Sequence, residues 1–265
     1  MSSDRHRPRK RFGQNFLQDI RIIDRILQTF NPSADAHIVE IGPGLGALTK
    51  GLLEIGQSLD VIEIDRDLAA TLEQKYSRHP GFTLHNQDVL TFDFASLNKT
   101  PLSVIGNLPY NISTPLLFHL LDYRHLIRHM TFMLQKEVVD RMAASPGEKA
   151  WGRLGIMVQY FCDVEKQFNV PPGAFYPPPK VESAIVRLTP REDTSIQALD
   201  SKILDQVVRT AFNQRRKAVR NSLKTLLSLE DYSKLEIDPG LRPEALSLED
   251  YVRISNFLYQ QRQQQ

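Results

Sequence analysis

The sequence predicts an α/β fold with a parallel sheet, followed by a small C-terminal domain made only of helices. Two patterns predict it. Short apolar segments alternate with amphipathic helical segments in the first half of the chain, and beyond Thr189 only helical patterns continue. The length of 265 residues also exceeds that of a typical single domain. We therefore expect a boundary near Pro190–Ser195, between domains 1–192 and 193–265.

The predicted sheet begins after a first helix. Asp19 is expected to cap this helix, and its apolar face consists of Ile23, Ile26, Leu27 and Phe30. Strands are then predicted at His37–Ile41, Leu59–Ile64, Phe82–His85, Leu102–Ile105 and Met130–Leu134. Further helices are predicted at Ala47–Ile55, after Asp65, at Pro115–Leu121 and at Lys136–Ala143.

Two longer strands are predicted near the end of the first domain. Tyr160–Val170 and Val181–Leu188 flank the proline-rich segment Pro171–Pro179. Proline cannot donate to a central ladder, so a hairpin-like pair at the edge of the sheet is expected. In the second domain, helices are predicted at Leu199–Phe212, Ala218–Leu229 and Leu248–Gln260.

Composition excludes several classes of protein. Cys162 is the single cysteine, which excludes an internal disulfide and a zinc site built from cysteines. No apolar run approaches the roughly 18 residues that a membrane helix needs. The charged N-terminal segment has no apolar core behind it, so we do not expect a secretory signal. These features favour a cytoplasmic protein that does not associate with membranes.

Basic residues are concentrated in two segments. Five of the seven residues from Arg5 to Arg11 are basic, and Arg209–Lys224 contains six basic residues and no acidic one. Such clusters are suited to phosphate contacts, although a solvated basic face is the commoner reason for them. The candidate RNA contacts are Arg5, Arg7, Arg9, Lys10, Arg11, Arg209, Arg215, Arg216, Lys217 and Arg220. In one continuous helix Arg209, Arg216 and Arg220 would share a face.

A glycine-rich turn predicts a nucleoside site. Gly42 and Gly44 lie where the first predicted strand turns into a helix, and glycine allows the backbone to approach a ligand closely. Glu63 follows Gly42 by 21 residues, at the end of the second strand, where an acidic side chain can accept hydrogen bonds from ribose hydroxyls. Asp88, after the third strand, is placed to accept from an adenine amine.

The charge of this turn favours a cationic ligand. Glu40 directly precedes the glycines, where its charge would oppose a pyrophosphate but could face a cation. The third glycine, Gly46, also comes one residue too early for the dinucleotide pattern. S-adenosylmethionine carries a sulfonium and an ammonium and no phosphate, so charge complementarity favours it over NAD.

The segment Asn107-Leu108-Pro109-Tyr110 predicts the acceptor site. It follows the fourth strand at the carboxyl edge, where open α/β sheets bind ligands. The Asn107 side-chain oxygen and a backbone carbonyl freed by Pro109 can accept from both N–H groups of an adenine amine, and Tyr110 can stack on the base. Phe175 is the candidate for a second stacking wall, which would offset the cost of unstacking the base.

Four ordered motifs resemble those of the ribosomal RNA adenine dimethylases. They are Gly13-Gln14-Asn15-Phe16-Leu17, Glu40-Ile41-Gly42-Pro43-Gly44-Leu45-Gly46, Asn107-Leu108-Pro109-Tyr110-Asn111-Ile112-Ser113 and Phe175-Tyr176-Pro177-Pro178-Pro179-Lys180-Val181. The resemblance implies a Rossmann-like S-adenosylmethionine methyltransferase sheet and cofactor contacts from Gln14, Asn15, Leu17, Gly42, Glu63, Asp88 and Asn107. It also implies that Asn107, Leu108, Tyr110 and Phe175 hold the target adenine.

The segment from Ala211 to Lys217 resembles the small-subunit members of this family. Such a member dimethylates N6 of two adjacent adenosines near the 3′ end of 16S rRNA, so the expected partner is the small ribosomal subunit. We expect a monomer without a protein partner. The alternatives are a large-subunit dimethylase that confers macrolide resistance, a DNA adenine methyltransferase, and a non-catalytic ribosome assembly factor. Leu108 stands where the DNA enzymes have a proline.

Overall fold

The computed structural model describes residues 15–56, 58–109, 112–192 and 196–264. The chain divides into two compact units. The first comprises 1–139 and 165–190, and the second comprises 140–164 and 191–265. The division after Pro190 lies close to the predicted boundary. However, the second unit also contains Asp140–Val164, which the sequence analysis had placed in the first domain.

The strands of the first unit form the predicted α/β architecture. The described strands are β1 (Phe16–Leu17), β2 (His37–Ile41), β3 (Leu59–Ile62), β4 (Phe82–His85), β5 (Leu102–Asn107), β6 (Ile127–Gln135), β7 (Cys162–Val170), β8 (Phe175–Tyr176) and β9 (Ser183–Pro190). Among the described residues, seven of them form a sheet in the order β4-β3-β2-β5-β6-β9-β7. Neighbours from β4 to β6 are parallel, and β9 is antiparallel to β6. β1 and β8 form a separate antiparallel pair.

Most of the helices lie where the sequence predicts them. They are α1 (Ile20–Phe30), α2 (Thr49–Ile55), α3 (Arg66–Tyr76), α4 (Ser113–Asp122), α5 (Lys136–Met142), α6 (Arg153–Phe161), α7 (Ser201–Asn213), α8 (Val219–Ser222), α9 (Leu229–Leu235) and α10 (Leu248–Gln263). Asp19 caps α1 by accepting from two backbone N–H groups, and Asp65 caps α3 in the same way with one. The sequence thus supplies a capping carboxylate at the start of α1 and of α3, whereas α2 and α4 begin without a side-chain cap.

The core of the first unit lies between the sheet and its helices. Phe30 and Ile26 of α1, Leu52 of α2 and Leu72 of α3 pack in one buried cluster with strand residues such as Val61. Because central parallel strands are covered on both faces, all five residues of β2 are buried, including His37 and Glu40. This packing fixes the carboxyl ends of the strands, from which the candidate site is built.

Two predictions about secondary structure were wrong. Tyr160 and Phe161 end helix α6, and the strand begins only at Cys162. The predicted helix Ala218–Leu229 is instead the short α8, followed by a turn and by α9. Because α7 ends at Asn213, Arg209 is not in one continuous helix with Arg216 and Arg220, so the condition for a shared helix face is not met.

Helices make up most of the C-terminal part of the second unit. Residues 196–264 form helices and turns without a strand, which confirms the prediction for this described range. Trp151 is buried and donates its indole N–H to the carbonyl of Leu246 at 2.9 Å, and Ser228 and Ser247 begin α9 and α10 with capping boxes. Within the described ranges, no helix has the length and apolarity required to cross a bilayer.

Candidate active site

A cavity of about 170 Å³ opens at the carboxyl edge of the sheet in the first unit. It is formed by β1 and by the segments that follow β2, β3, β4 and β5. The predicted site residues that line it are Asn15, Leu17, Gly42, Gly44, Glu63, Asp88, Asn107, Leu108 and Pro109. The predicted residues Gln14 and Tyr110 lie outside the described residues. The structure thus brings nine of the predicted positions, spread over 95 residues of sequence, to one cavity.

The glycine loop gives the cavity its floor. Gly42 and Gly44 have φ angles of +65° and +60°, a region that residues with a Cβ rarely adopt. A Cβ on Gly44 would also lie 3.1 Å from the ring of Phe16, so the ring packs directly on the loop. At Gly42 a Cβ would lie 3.8 Å from the backbone oxygen of Asn107. The loop is therefore held between β1 on one side and the end of β5 on the other.

Glu63 is fixed by backbone donors at the end of β3. Its two carboxylate oxygens accept from the N–H of Asp65 at 2.8 Å and from the N–H of Gly44 at 3.2 Å. Burial raises the pKa of Glu63 above its usual value, and the two backbone hydrogen bonds oppose that rise. The carboxylate is thus positioned to accept from ligand hydroxyls, as the spacing from Gly42 predicts.

Glu40 is a second acid in the cavity wall. It is 1% exposed, and Thr49 donates its hydroxyl to one carboxylate oxygen at 2.7 Å. Burial raises the pKa of Glu40 to about 8, the hydrogen bond from Thr49 lowers it, and the charge of Glu63 raises it further. A buried carboxyl of this kind gains stability from a nearby positive charge, because the charge offsets the cost of its ionisation.

The charge of the lining agrees with a cationic ligand. Glu40, Glu63 and Asp88 line the cavity, and among the described lining residues there is no Lys, Arg or His. A phosphate would meet only repulsion here, whereas a sulfonium and an ammonium would be stabilised. The residues therefore fit S-adenosylmethionine, with Glu63 suited to its ribose and Glu40 to its positive charges.

Asn107 ends β5 at the same cavity. Its side-chain nitrogen donates to the carbonyl of Asn15 at 3.2 Å, which turns the side-chain oxygen toward other donors. The preceding residue, Gly106, must be glycine, since a Cβ there would lie 2.6 Å from the carbonyl oxygen of Ile41. Strands β2 and β5 therefore approach closely, which brings Asn107 beside the glycine loop.

The two residues after Asn107 are held rigidly. Leu108 is buried, and its N–H donates to the carbonyl of Met133 on β6 at 3.2 Å. Pro109 has no N–H, and its own carbonyl accepts from Ile112 at 3.2 Å. The Asn107 side-chain oxygen and the Leu108 carbonyl, which directly precedes Pro109, are the candidate acceptors for an amine; the sequence predicts the first by residue and the second only as a backbone carbonyl freed by Pro109.

Phe175 is buried, in contrast to its neighbour. It is 5% exposed and packs in the core cluster with Leu17, its partner across the β1–β8 pair. It is not among the described residues that line the cavity. Its predicted role as a stacking wall for the target adenine stays a prediction. The adjacent Tyr176 is 59% exposed.

The candidate RNA-binding residues of the second unit differ in their surroundings. Arg215 donates to the carbonyl of Lys149 and lies 3.7 Å from a carboxylate oxygen of Glu244, so it contributes to the structure of the unit. The side chains of Arg209, Arg216, Lys217 and Arg220 are exposed and make no ion pair with any described residue. The arm residues Arg5, Arg7, Arg9, Lys10 and Arg11 lie outside the described residues.

Sequence reasoning missed part of the apolar lining. Ile64 and Leu45 both line the cavity although they are 46% and 41% exposed. Gln87 also lines it, next to the predicted Asp88. The signal for Ile64 was its position directly after Glu63, since an exposed apolar side chain beside a ribose-binding acid can cover an adenine ring.

Comparison with known protein sequences agrees with the resemblance to the ribosomal RNA adenine dimethylases. The family described as ribosomal RNA adenine dimethylase has a sequence model that matches residues 5–260. The chain is 59% identical over 255 residues to the ribosomal RNA small subunit methyltransferase A of Pseudomonas aeruginosa, covering 96% of this chain and 95% of the relative. It is 55% identical over 256 residues to the protein of the same name from Hahella chejuensis, covering 96% and 94%.

Solved structures agree with the fold. The chain is similar to a dimethyladenosine transferase from Plasmodium falciparum, with a TM-score of 0.79, 26% identity and coverage of 90% of this chain and 95% of that one. It is also similar to the 23S rRNA methyltransferase ErmE, with a TM-score of 0.73, 26% identity and coverage of 92% and 100%.

Proposed function

This chain belongs to the ribosomal RNA adenine dimethylase family, and we propose that its substrate is the 16S rRNA of the small ribosomal subunit. It is an S-adenosylmethionine-dependent enzyme that dimethylates the N6 amine of adenosine. In the proposed substrate two adjacent adenosines near the 3′ end are modified. The small-subunit choice is supported by the names of relatives at 55–59% identity, whereas the large-subunit enzyme ErmE shares 26%.

One observation carries the proposed mechanism. Asn107 lies in the same cavity as Gly42 and Glu63, and its side-chain nitrogen is engaged by Asn15, so that its oxygen is available to accept. A site that binds a methyl donor and a site that accepts an amine are therefore joined. A non-catalytic role does not require this conjunction of residues.

The acceptors prepare the amine for attack. The lone pair of an adenine amine is delocalised into the ring, which makes the nitrogen a poor nucleophile. When the Asn107 oxygen and the Leu108 carbonyl each accept one N–H bond, they favour a tetrahedral nitrogen and localise the lone pair. S-adenosylmethionine, when bound, supplies a methyl group on positively charged sulfur, which departs as a neutral thioether. The methylated nitrogen then sheds a proton to solvent, so positioning and electrostatics account for the catalysis.

The acids of the cavity hold the donor. Glu63 would accept from the ribose hydroxyls, Asp88 from the adenine amine, and Glu40 would face the positive charges. Asn15, Leu17, Gly42 and Gly44 would surround the methionine end, with Gln14 closing over it. Tyr110 and Phe175 would stack on the target base. The shared cavity supports these assignments for Glu40, Glu63, Asp88, Asn15, Leu17, Gly42 and Gly44. Phe175 does not line the cavity, and Gln14 and Tyr110 lie outside the described residues, so their roles rest on the family resemblance.

Affinity for RNA would come from the basic residues. We assign phosphate contacts to Arg209, Arg216, Lys217 and Arg220, which are exposed, and to the N-terminal arm. Arg215 is a weaker candidate, because its guanidinium is already engaged. We further propose that the enzyme acts as a cytoplasmic monomer, which size-exclusion chromatography of the purified protein would check.

The test is methyl transfer from labelled S-adenosylmethionine to unmethylated small and large ribosomal subunits, followed by digestion to nucleosides. Labelled dimethyladenosine from small subunits alone is the expected product. Label only in large subunits or in DNA would contradict the substrate assignment, and no label in any nucleic acid would contradict the enzymatic role.

A further inference from the structure

The segment Tyr176–Glu182, here called the proline loop, lies beside the candidate active site. At its start, Tyr176 pairs with Phe16 across the β8–β1 ladder. At its end, the carbonyl of Glu182 accepts from the N–H of Lys136 at 2.9 Å, and Ser183 pairs with Gln135 at the end of β6. Both ends of the loop are therefore fixed to elements of the first unit.

These anchors bring the loop to the edge of the sheet that carries the chemistry. Phe16 lines the cavity and packs on Gly44. Strand β6 is paired with β5 so that Met133 lies opposite Asn107, two residues before Gln135, which lies opposite Ser183 of β9. The loop thus runs between the strand that covers the cofactor cavity and the strand that neighbours Asn107.

The side chains of the proline loop have an unusual combination of properties. Tyr176 is 59% exposed, Val181 is 45% exposed, and three consecutive prolines stiffen the backbone between Tyr176 and Lys180. Lys180 is exposed and makes no ion pair with any described residue. Its one acidic neighbour within the loop is Glu182.

Strand geometry explains why Tyr176 is available while Phe175 is not. Successive residues of a strand point to opposite faces, so in β8 the ring of Phe175 packs into the core and that of Tyr176 points outward. Residues directly opposite in an antiparallel pair share a face, and Phe16 on that face covers Gly44. Tyr176 therefore lies exposed beside Phe16, a residue of the cavity lining, although Tyr176 is not itself among the described residues that line the cavity.

We propose that the proline loop binds the nucleotide next to the target adenosine, with a base stacked on Tyr176 and a phosphate beside Lys180. Aromatic rings combined with cations are how proteins hold single-stranded nucleic acid without reading its sequence. Stacking on Tyr176 would replace the contacts that the neighbouring base loses when the target is taken out of the helix. This inference rests on the proposed function, because it requires an RNA substrate.

The experiment compares four variants with the wild-type enzyme on unmethylated small ribosomal subunits. Tyr176→Ala removes the ring, Tyr176→Phe retains it, and Lys180→Gln removes the charge. Lys75→Gln is the matched control, since this exposed lysine lies in the last turn of α3 and contacts the ring of Tyr76 rather than the site. Steady-state methylation, affinity for the subunits as a function of salt concentration, cofactor affinity and melting temperature are measured for each.

Tyr176→Ala should raise KM for the subunits about 5- to 10-fold, the low end of what a base–aromatic stack contributes. Tyr176→Phe should stay within about twofold of wild type, because the ring provides the stack. Lys180→Gln should reduce the slope of log affinity against log salt by about 0.7 to 0.9, as expected for one lost phosphate contact. Lys75→Gln should leave that slope unchanged.

A KM for Tyr176→Ala equal to that of the wild type would overturn the stacking role. If Tyr176→Ala lowers the melting temperature or the cofactor affinity, its KM no longer reports on stacking alone, and the test is then the Lys180→Gln variant. A slope of log affinity against log salt that equals the wild-type slope in Lys180→Gln would overturn the proposal. A wild-type enzyme that methylates no ribosomal subunit would instead refute the proposed function, so the two failures are distinguishable.

Discussion

Glu40 makes cofactor binding depend on pH. The carboxyl is buried in the cavity wall with Thr49 donating to it, and burial raises its pKa to about 8. Below that pH the ligand-free protein carries Glu40 mostly protonated. A bound cation stabilises the ionised form, so binding is accompanied by loss of the proton. Affinity for S-adenosylmethionine should therefore fall as the pH is lowered.

The size of the effect follows from the same pKa. If only the ionised form binds, affinity is reduced about 4-fold at pH 7.5 and about 100-fold at pH 6, relative to a fully ionised carboxylate. The expected loss between these two pH values is thus about 25-fold, or about 2 kcal/mol. The range from pH 6 to 7.5 lies below pH 8, near which an α-amino group such as that of the cofactor titrates. The raised pKa of Glu63 acts in the same direction.

Isothermal titration calorimetry of the protein with S-adenosylmethionine, without RNA, measures this directly. Repeating the titration at pH 7 in two buffers of different ionisation enthalpy should show release of about 0.9 proton. The control is Glu40→Gln, which should bind more weakly at pH 7.5 and lose most of the pH dependence. A wild-type affinity that varies by less than about twofold from pH 7.5 to 6 would show that the ionisation of Glu40 does not control cofactor binding.

Three further predictions concern turnover, RNA binding and stability. Asn107→Ala should lower kcat about 100-fold or more while KM for small subunits changes little, as for loss of one preorganised polar contact. If kcat and the affinity for small subunits fell by the same factor, Asn107 would be a binding residue. Replacing Arg216, Lys217 and Arg220 together by Glu should flatten the salt dependence of RNA binding, and an unchanged slope in filter binding would return them to a solvated surface. Burial, with the nearby charge of Arg187, lowers the pKa of His129 to about 4. Because the pKa of a histidine in the unfolded chain is near 6.5, the free energy of unfolding should be constant above that pH and should decline toward pH 4 by at most about 3 kcal/mol. Urea titrations of the wild type and of His129→Gln check this. Equal pH dependence of the unfolding free energy in both proteins would contradict it.

Much of the site could be predicted because it lies at strand ends. The carboxyl ends of parallel strands meet at one edge, so Gly42, Glu63, Asp88 and Asn107 had to converge once the strands had been identified. The capping carboxylates Asp19 and Asp65 likewise fixed where helices begin. In each case a local signal in the sequence determines the position.

Other features depend on contacts that sequence periodicity does not contain. The apolar run around Tyr160 suits a buried helix and a strand equally, and its helix is determined by packing within the second unit. Which of Phe175 and Tyr176 is buried depends on the register with β1. The start of α9 did have a signal, because Ser228 and Asp231 form a capping box that the helix prediction for Ala218–Leu229 overlooked.

We infer that one cavity holds the methyl donor and the target amine together, with Asn107 between them. A crystal structure of the enzyme with S-adenosylhomocysteine and adenosine would show both sites at once. We expect the adenosine N6 at about 3 Å from the Asn107 side-chain oxygen, with its lone pair directed at the cofactor sulfur. An adenosine bound away from Asn107, or a cofactor that does not contact Glu63, would contradict it.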